Sequence, residues 1–115
     1  MKLTDKYPNL DQFFGCHFHQ DWDYDYATTA EAVRHFCELQ PKEEIIRTIA
    51  ELKVLLHEVT SDEALGQVLY DFGSCYIARY KGRTAPQWQS NREWLTKEVL
   101  AILEAHLAEN RARSA

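Results

Sequence analysis

The amino-acid sequence predicts an all-α fold, a compact single-domain array of about five helices. The chain has 115 residues, 45% of them hydrophobic, which is enough for one core and too few for two. Apolar residues recur at helical spacing in several segments, and residues that cap helices precede three of them. Residues 76–80 alternate like a strand, but one short strand cannot form a sheet. We expect a single domain over residues 1–115, with residues 1–6 and 110–115 frayed.

The first two predicted helices lie in the N-terminal third of the chain. A short helix is expected to start after Pro8 and to be interrupted by Gly15, because glycine is a poor helix former. The next is predicted over residues 29–39, where Thr28 and Glu31 have the spacing of a capping box. The apolar faces of these two helices comprise Leu10, Phe13, Phe14, Val33, Phe36 and Cys37.

The clearest helix is predicted over residues 41–59. Pro41 suits the first turn, and Glu43 and Glu44 follow where the positive end of the helix dipole favours anions. Ile46 and Leu55 widen its apolar stripe, so we expect this helix to lie centrally in the bundle. The stripe itself consists of Ile45, Ile49, Leu52, Leu56 and Val59.

Two more helices complete the prediction. One is expected to be capped by Ser61 or Asp62 and to end at Gly73, which suits the position just beyond a helix C-terminus. The other is predicted over residues 91–109, where Ser90 and Glu93 again have capping-box spacing. Their buried faces are expected to be Leu65, Val68, Leu69 and Phe72, and Trp94, Leu95, Val99, Ile102, Leu103 and Leu107.

The charge of the chain favours a basic partner. The formal net charge is −5 and the pI is about 5.5, whereas proteins that bind nucleic acid through phosphate contacts are usually basic. The cations Arg79, Lys81 and Arg83 form a small basic cluster in residues 74–89, which we interpret as a solvated loop. Direct nucleic-acid binding is therefore not expected.

Nothing in the sequence predicts a membrane or secreted protein. Its longest apolar runs are a few residues, and the N-terminal residues lack the apolar region of a signal peptide. Cys16, Cys37 and Cys75 are widely spaced and odd in number, so we expect reduced thiols rather than disulfides. We therefore predict a cytoplasmic protein, monomeric because no heptad pattern indicates a coiled coil.

Residues 17–26 are the most unusual segment, and two chemical interpretations of it are open. His17, His19 and Asp21 could act as metal ligands of a small hydrolase, although they lack the helical spacing that brings two imidazoles to one ion. Cys16 could act as a nucleophile with His19 and with Asp21 or Asp23 as acid and base. No glycine-rich phosphate loop or nucleophile turn accompanies either set of residues. We therefore expect no metal site, no cofactor and no catalytic activity.

The third interpretation is a protein-binding segment. Asp21, Asp23 and Asp25 are three carboxylates within five residues, and a cationic partner would relieve their mutual repulsion. Aromatic residues among charges are typical of interface hot spots, although these rings could also seal the core. The candidate partner-binding residues are Asp21, Asp23, Tyr24, Asp25 and Tyr26.

Several strings resemble a known family. The string at residues 7–10, Tyr-Pro-Asn-Leu, is followed by Phe-Phe-Gly at 13–15 and by Phe-His-Gln-Asp-Trp at 18–22. Together they resemble the opening signature of the small immunity proteins of bacterial contact-dependent growth inhibition systems, the CdiI type. The similarity reappears at residues 73–76 and 92–95 and extends from about residue 7 to 107. The signature residues that we expect to be structural are Tyr7, Pro8, Phe14, Gly15, Phe18, His19, Gln20 and Trp22.

The resemblance implies a helical cytoplasmic antitoxin with no active site of its own. Such proteins bind the C-terminal toxin domain of a surface-displayed effector, often a nuclease, and neutralise it in the producing cell. A monomer that forms a one-to-one heterodimer with this toxin domain is the expected state. The alternatives that stay open are the metal-dependent hydrolase and an adaptor that docks a protein other than a toxin.

Overall fold

A computed structural model describes residues 3–18, 28–73 and 90–114, and every regular element in these ranges is a helix. The predicted all-α fold is thereby confirmed. The predicted strand at 76–80, the basic cluster and Cys75 lie outside the described residues. The helices are α1 (Leu3–Lys6), α2 (Pro8–His17), α3 (Thr29–Leu39), α4 (Lys42–Glu58), α5 (Asp62–Asp71) and α6, which runs through Asn91–Trp94, a π-helical segment Leu95–Leu100 and Ala101–Ser114.

The helix ends are set by the predicted capping residues. The hydroxyl groups of Thr28, Ser61 and Ser90 each accept a hydrogen bond from the backbone N–H three residues further on, at 3.2, 3.0 and 3.0 Å. Gly73 follows α5 with a φ of 87°, the left-handed conformation that glycine adopts without strain. These local signals place four helix boundaries where the sequence predicted them.

The prediction that Gly15 interrupts α2 is wrong. The helix continues through Gly15 to His17, and the backbone N–H of Phe18 still donates to the carbonyl of Phe14 at 2.9 Å. A Cβ atom on Gly15 would lie 3.4 Å from the carbonyl oxygen of Phe72, just after α5. The glycine therefore does not break the helix, and a Cβ at this position would make an ordinary contact with the residue just after α5.

The core is dominated by aromatic rings from several helices. Phe13 packs edge-on to Phe36 with ring centroids 4.7 Å apart, Phe14 stacks on Phe72 at 5.7 Å, and Trp94 lies among them. All of these side chains are at most 3% exposed. The buried apolar residues of the described chain form one cluster, and the assignment of residues 1–115 to one domain stays a prediction.

Helix α4 buries one face and exposes the other. Leu55 is fully buried as predicted, but Ile46 is 43% exposed, so the expectation that both residues widen the buried stripe is wrong for Ile46. Val54 is also 43% exposed. Among the described residues, α4 packs mainly on α2 and α6, and its central position in the bundle stays a prediction.

Polar side chains join the helix ends to one another. Glu51 of α4 accepts hydrogen bonds from the backbone N–H groups of Asn9 and Leu10 at 2.9 and 3.1 Å, and so caps α2 from a distant part of the sequence. Asp62 caps α6 similarly, accepting from the backbone N–H of Arg92 at 2.9 Å. The guanidinium of Arg92 in turn donates to the carbonyl of Leu56 at 2.9 Å. These contacts fix the relative positions of α2, α4, α5 and α6.

The two terminal segments expected to fray carry helix in the described residues. Leu3–Lys6 forms α1, which the sequence analysis did not predict, and α6 extends to Ser114. Fraying of these segments in solution stays a prediction. No helix of the described ranges is long and apolar enough to cross a membrane.

Candidate protein-binding site

The candidate partner-binding residues lie in a part of the chain that the structure does not describe. Residues 19–27 are outside the described ranges, and they include Asp21, Asp23, Tyr24, Asp25 and Tyr26 together with His19, Gln20 and Trp22. The described residues next to them in the sequence are Phe18, at the end of α2, and Thr28, just before α3. The side-chain contacts at both positions are known.

Phe18, the last described residue before residues 19–27, directly follows α2. The Phe18 side chain is fully buried. Its ring lies 5.7 Å from that of Phe13, 6.0 Å from that of Phe14 and 5.3 Å from that of Trp94, with an edge-to-face geometry toward Trp94. Edge-to-face packing of buried rings adds stabilisation beyond the area buried. Phe18 is therefore held against α6.

Thr28 and Thr29, the first described residues after residues 19–27, lie at the start of α3. Thr29 is buried, and its hydroxyl donates a hydrogen bond to Oε2 of Glu98 at 2.6 Å. The indole N–H of Trp94 donates to the same oxygen at 2.5 Å. Trp94 and Glu98 are one helical turn apart on α6. We call Thr29, Trp94 and Glu98 the anchor cluster, and the ring of Phe18 packs against its Trp94.

Sequence reasoning missed the anchor cluster, although one signal was present. Glu98 interrupts the apolar stripe of the last helix, where its neighbours Leu95 and Val99 are fully buried. A charged residue on a buried stripe is unusual unless it is paired. The pattern thus indicated a buried polar contact, but nothing local in the sequence identified its partner.

Three of the five described signature residues lie in the core, whereas Pro8 and Gly15 are exposed. Tyr7, Phe14 and Phe18 are each at most 1% exposed, and Pro8 is the first residue of α2, where its missing N–H has no helical partner to lose. Burial raises the pKa of Tyr7, whose hydroxyl donates to Oε2 of Glu58 at 3.2 Å. These positions are what a structural role requires, and that role stays a prediction.

The metal and catalytic interpretations gain little from the described residues. His17 is 5% exposed and packs against the rings of Phe13, His35 and Phe36 at 6.0, 5.9 and 5.5 Å. Within residues 3–18, 28–73 and 90–114, no group of three or more His, Cys, Asp or Glu could hold a metal ion. His19 and Asp21, the other ligands of the metal interpretation, lie outside these ranges.

A cavity of about 330 Å³ lies between α3 and α6. Its wall includes Cys37, whose burial raises the pKa of the thiol to about 11. This thiol is therefore protonated at neutral pH and is a poor nucleophile. The remaining lining residues are Arg34, Glu38, Ile102, Ala105, His106 and Glu109.

Comparison with known proteins identifies what the chain is similar to. A family model described as CdiI immunity protein matches residues 6–98. A chain in the crystal structure of a CdiA-CT/CdiI complex from Y. kristensenii 33638 matches with a TM-score of 0.75 and 24% sequence identity, over 89% of this chain and 98% of that one. At this identity the structural match shows the fold. No curated protein matches the chain.

Proposed function

Because the chain belongs to the CdiI immunity protein family, we propose that it binds and neutralises the toxin domain of a contact-dependent growth inhibition effector. The observation that carries this proposal is the family match over residues 6–98, which includes the signature strings, the predicted binding segment and most of the described core. The solved structure with the same fold contains a CdiA-CT/CdiI complex, which supports a protein partner of this kind.

We propose that the protein acts by stoichiometric binding and not by catalysis. The family supports this, since an immunity protein needs affinity for its toxin rather than an active site of its own. The cytoplasm, where a toxin would threaten the producing cell, is the proposed location. A monomer that forms a one-to-one heterodimer with the toxin domain is the proposed functional unit.

The charge of the chain supports a nuclease as the neutralised toxin. A nuclease cleft carries cations that bind phosphates, and a chain with a net charge of −5 complements such a surface. We propose that Asp21, Asp23 and Asp25 occupy the phosphate positions, with Tyr24 and Tyr26 as neighbouring aromatic anchors. Binding in this way would block the substrate sterically and electrostatically.

Co-expression with the toxin domain encoded beside this chain tests the proposal. We expect the protein to rescue growth and to co-purify with the toxin domain in a one-to-one complex. The absence of both rescue and complex would overturn the proposal. Stoichiometric zinc, iron or manganese in the purified protein would then favour the metal-dependent alternative, and capture of an unrelated protein would favour an adaptor.

Charge reversal tests the predicted binding residues. The variant Asp23→Lys with Asp25→Lys should weaken toxin binding while the helical circular dichroism signal stays unchanged, because the carboxylates would meet a cationic surface. The matched control is Asp71→Lys with Glu63→Lys, which changes the net charge equally at two exposed positions. Equal loss of affinity in both double variants would show that only the overall charge matters.

A further inference from the structure

The cavity between α3 and α6 is a concave surface built from described residues. Its volume of about 330 Å³ lies at the lower end of the range of about 300–1,000 Å³ that is typical of ligand clefts. Within each helix the lining residues recur at helical spacing, so each set shares one face. They are Arg34, Cys37 and Glu38 on α3, and Ile102, Ala105, His106 and Glu109 on α6.

The cavity has an apolar floor and a charged rim. Cys37 is 4% exposed and Ile102 is partly buried against the core, so these two side chains form the floor. Glu38 and Glu109 are exposed to solvent and belong to the rim. Lysine and arginine bury an apolar stem on such a surface, while the charged end of the side chain stays at its edge. The cavity therefore suits one long basic side chain.

Negative charge prevails in the cavity. The carboxylates of Glu38 and Glu109 outnumber the one guanidinium, that of Arg34, and histidine is neutral in the formal charge at pH 7. This charge also acts on the floor, because burial and, after it, the carboxylate of Glu38 raise the pKa of the Cys37 thiol. A cation is therefore the charge that complements the cavity.

The two carboxylates have no cation of their own in the described part of the chain. Within residues 3–18, 28–73 and 90–114, the glutamates that form ion pairs are Glu44, Glu58 and Glu104. Among the same residues, Glu38 makes no ion pair even though Arg34 is one helical turn away on α3. Glu38 and Glu109 are thus available to a cation from outside.

We propose that this cavity receives one lysine or arginine side chain of the toxin domain, with its stem on Cys37 and Ile102 and its charged end at Glu38 and Glu109. The toxin is the occupant because a chain with a net charge of −5 attracts a basic partner. This inference rests on the proposed function. It adds to that function a contact surface made by described residues of α3 and α6.

Removal of the two charges tests the proposal. The cavity variant, Glu38→Gln with Glu109→Gln, keeps the size of both side chains and removes both carboxylates. The matched control is Glu43→Gln with Glu63→Gln, which removes the same charge at exposed positions outside the cavity. We expect the cavity variant to lower the affinity for the purified toxin domain by about tenfold, and the control to leave it within about twofold. Equal losses would overturn the proposal, since only the overall charge would then matter.

A tryptophan that fills the cavity tests its shape independently of charge. Ala105 lines the cavity, whereas Ala108 is also exposed on α6 but does not line it. We expect Ala105→Trp to lower toxin affinity by about tenfold or more, because the indole occupies the space of the basic side chain, and Ala108→Trp to lower it by less than about twofold. Circular dichroism checks that both variants are folded. Equal affinities of the two variants would overturn the proposal.

Alanine substitutions of the toxin's own lysines and arginines identify the occupant. Each is measured against the unchanged protein and against the cavity variant, in a double-mutant cycle. One basic residue of the toxin should matter less to the cavity variant than to the unchanged protein, because its partner carboxylates are already gone. Additive losses at every basic residue would contradict a specific occupant.

The outcomes separate this inference from the proposed function. If the unchanged protein does not bind the toxin domain, the proposed function fails, and this inference with it. If the unchanged protein binds and the cavity variant binds equally well, only the proposed occupant is wrong. A Tm of the free protein that falls further in the cavity variant than in the control, with toxin affinity unchanged, would show that a cation of this chain itself occupies the cavity.

Discussion

Alanine in place of Gly15 should stabilise the protein. Gly15 lies inside α2, where alanine is favoured over glycine by about 1 kcal/mol. The added Cβ would lie 3.4 Å from the carbonyl oxygen of Phe72, which is an ordinary contact distance and offsets little of this gain. We therefore expect Gly15→Ala to raise the free energy of unfolding by up to about 1 kcal/mol.

Alanine in place of Gly73 should have the opposite effect, which makes it the matched comparison. The φ of Gly73 is 87°, and a left-handed conformation costs a residue with a Cβ about 1–2 kcal/mol. Alanine also lowers the conformational entropy of the unfolded chain, which stabilises the folded state by about 0.4–1 kcal/mol and offsets part of this cost. Space is not limiting, since the nearest atom to the new Cβ is the Cα of Gly15 at 3.8 Å. The net expectation is a loss of about 1 kcal/mol.

Thermal unfolding followed by circular dichroism measures both changes. For a chain of this size, about 1 kcal/mol corresponds to a Tm shift of roughly 4 °C, upward for Gly15→Ala and downward for Gly73→Ala. A loss of stability in Gly15→Ala as large as that in Gly73→Ala would refute the continuous helix α2. An unchanged Tm in Gly73→Ala would refute the left-handed turn after α5.

Three further predictions concern the core, the pH response and the thiols. Trp94→Ala should lower the free energy of unfolding by about 3–5 kcal/mol in urea, because the indole is fully buried; a loss below about 1 kcal/mol would contradict that burial. The hydrogen bond from Lys6 lowers the pKa of Glu58 in the folded state, so its stabilisation is present at neutral pH and is lost as the pH falls through the lowered pKa. The Tm of Glu58→Gln should therefore fall less on acidification than that of the unchanged protein, and parallel curves would argue against the ion pair. At neutral pH, iodoacetamide should modify exposed Cys16 well before buried Cys37. Mass spectrometry of the Cys75→Ser variant measures both rates, and equal rates would disprove the difference in burial.

Most helix boundaries could be predicted because their causes are local. The caps at Thr28, Ser61 and Ser90 and the glycine after α5 involve residues within one turn of each other, so spacing along the chain reveals them. The buried stripes follow from helical periodicity in the same way. Local pattern also supported the family resemblance, which the match over residues 6–98 confirmed.

The errors have tertiary causes. Gly15 has the local character of a helix breaker, but α2 continues through it where it packs near Phe72, which is 57 residues further along the chain. Ile46 continues an apolar stripe in the sequence, but among residues 3–18, 28–73 and 90–114 no helix buries its side chain. Whether an apolar residue is buried depends on which other element packs against it. The periodicity of a helix describes its own apolar face and not the element that would cover that face.

By itself, the sequence determined the helical class, the capped boundaries, the acidic character and the family to which the chain belongs. The tertiary structure alone decided that Glu98 is buried, that it accepts hydrogen bonds from Thr29 and Trp94, and that Phe18 reaches the same place. Thr29 and Glu98 are 69 residues apart in sequence. Local propensities act over one or two helical turns, whereas a buried carboxylate needs donors that only the packing of distant helices brings within reach.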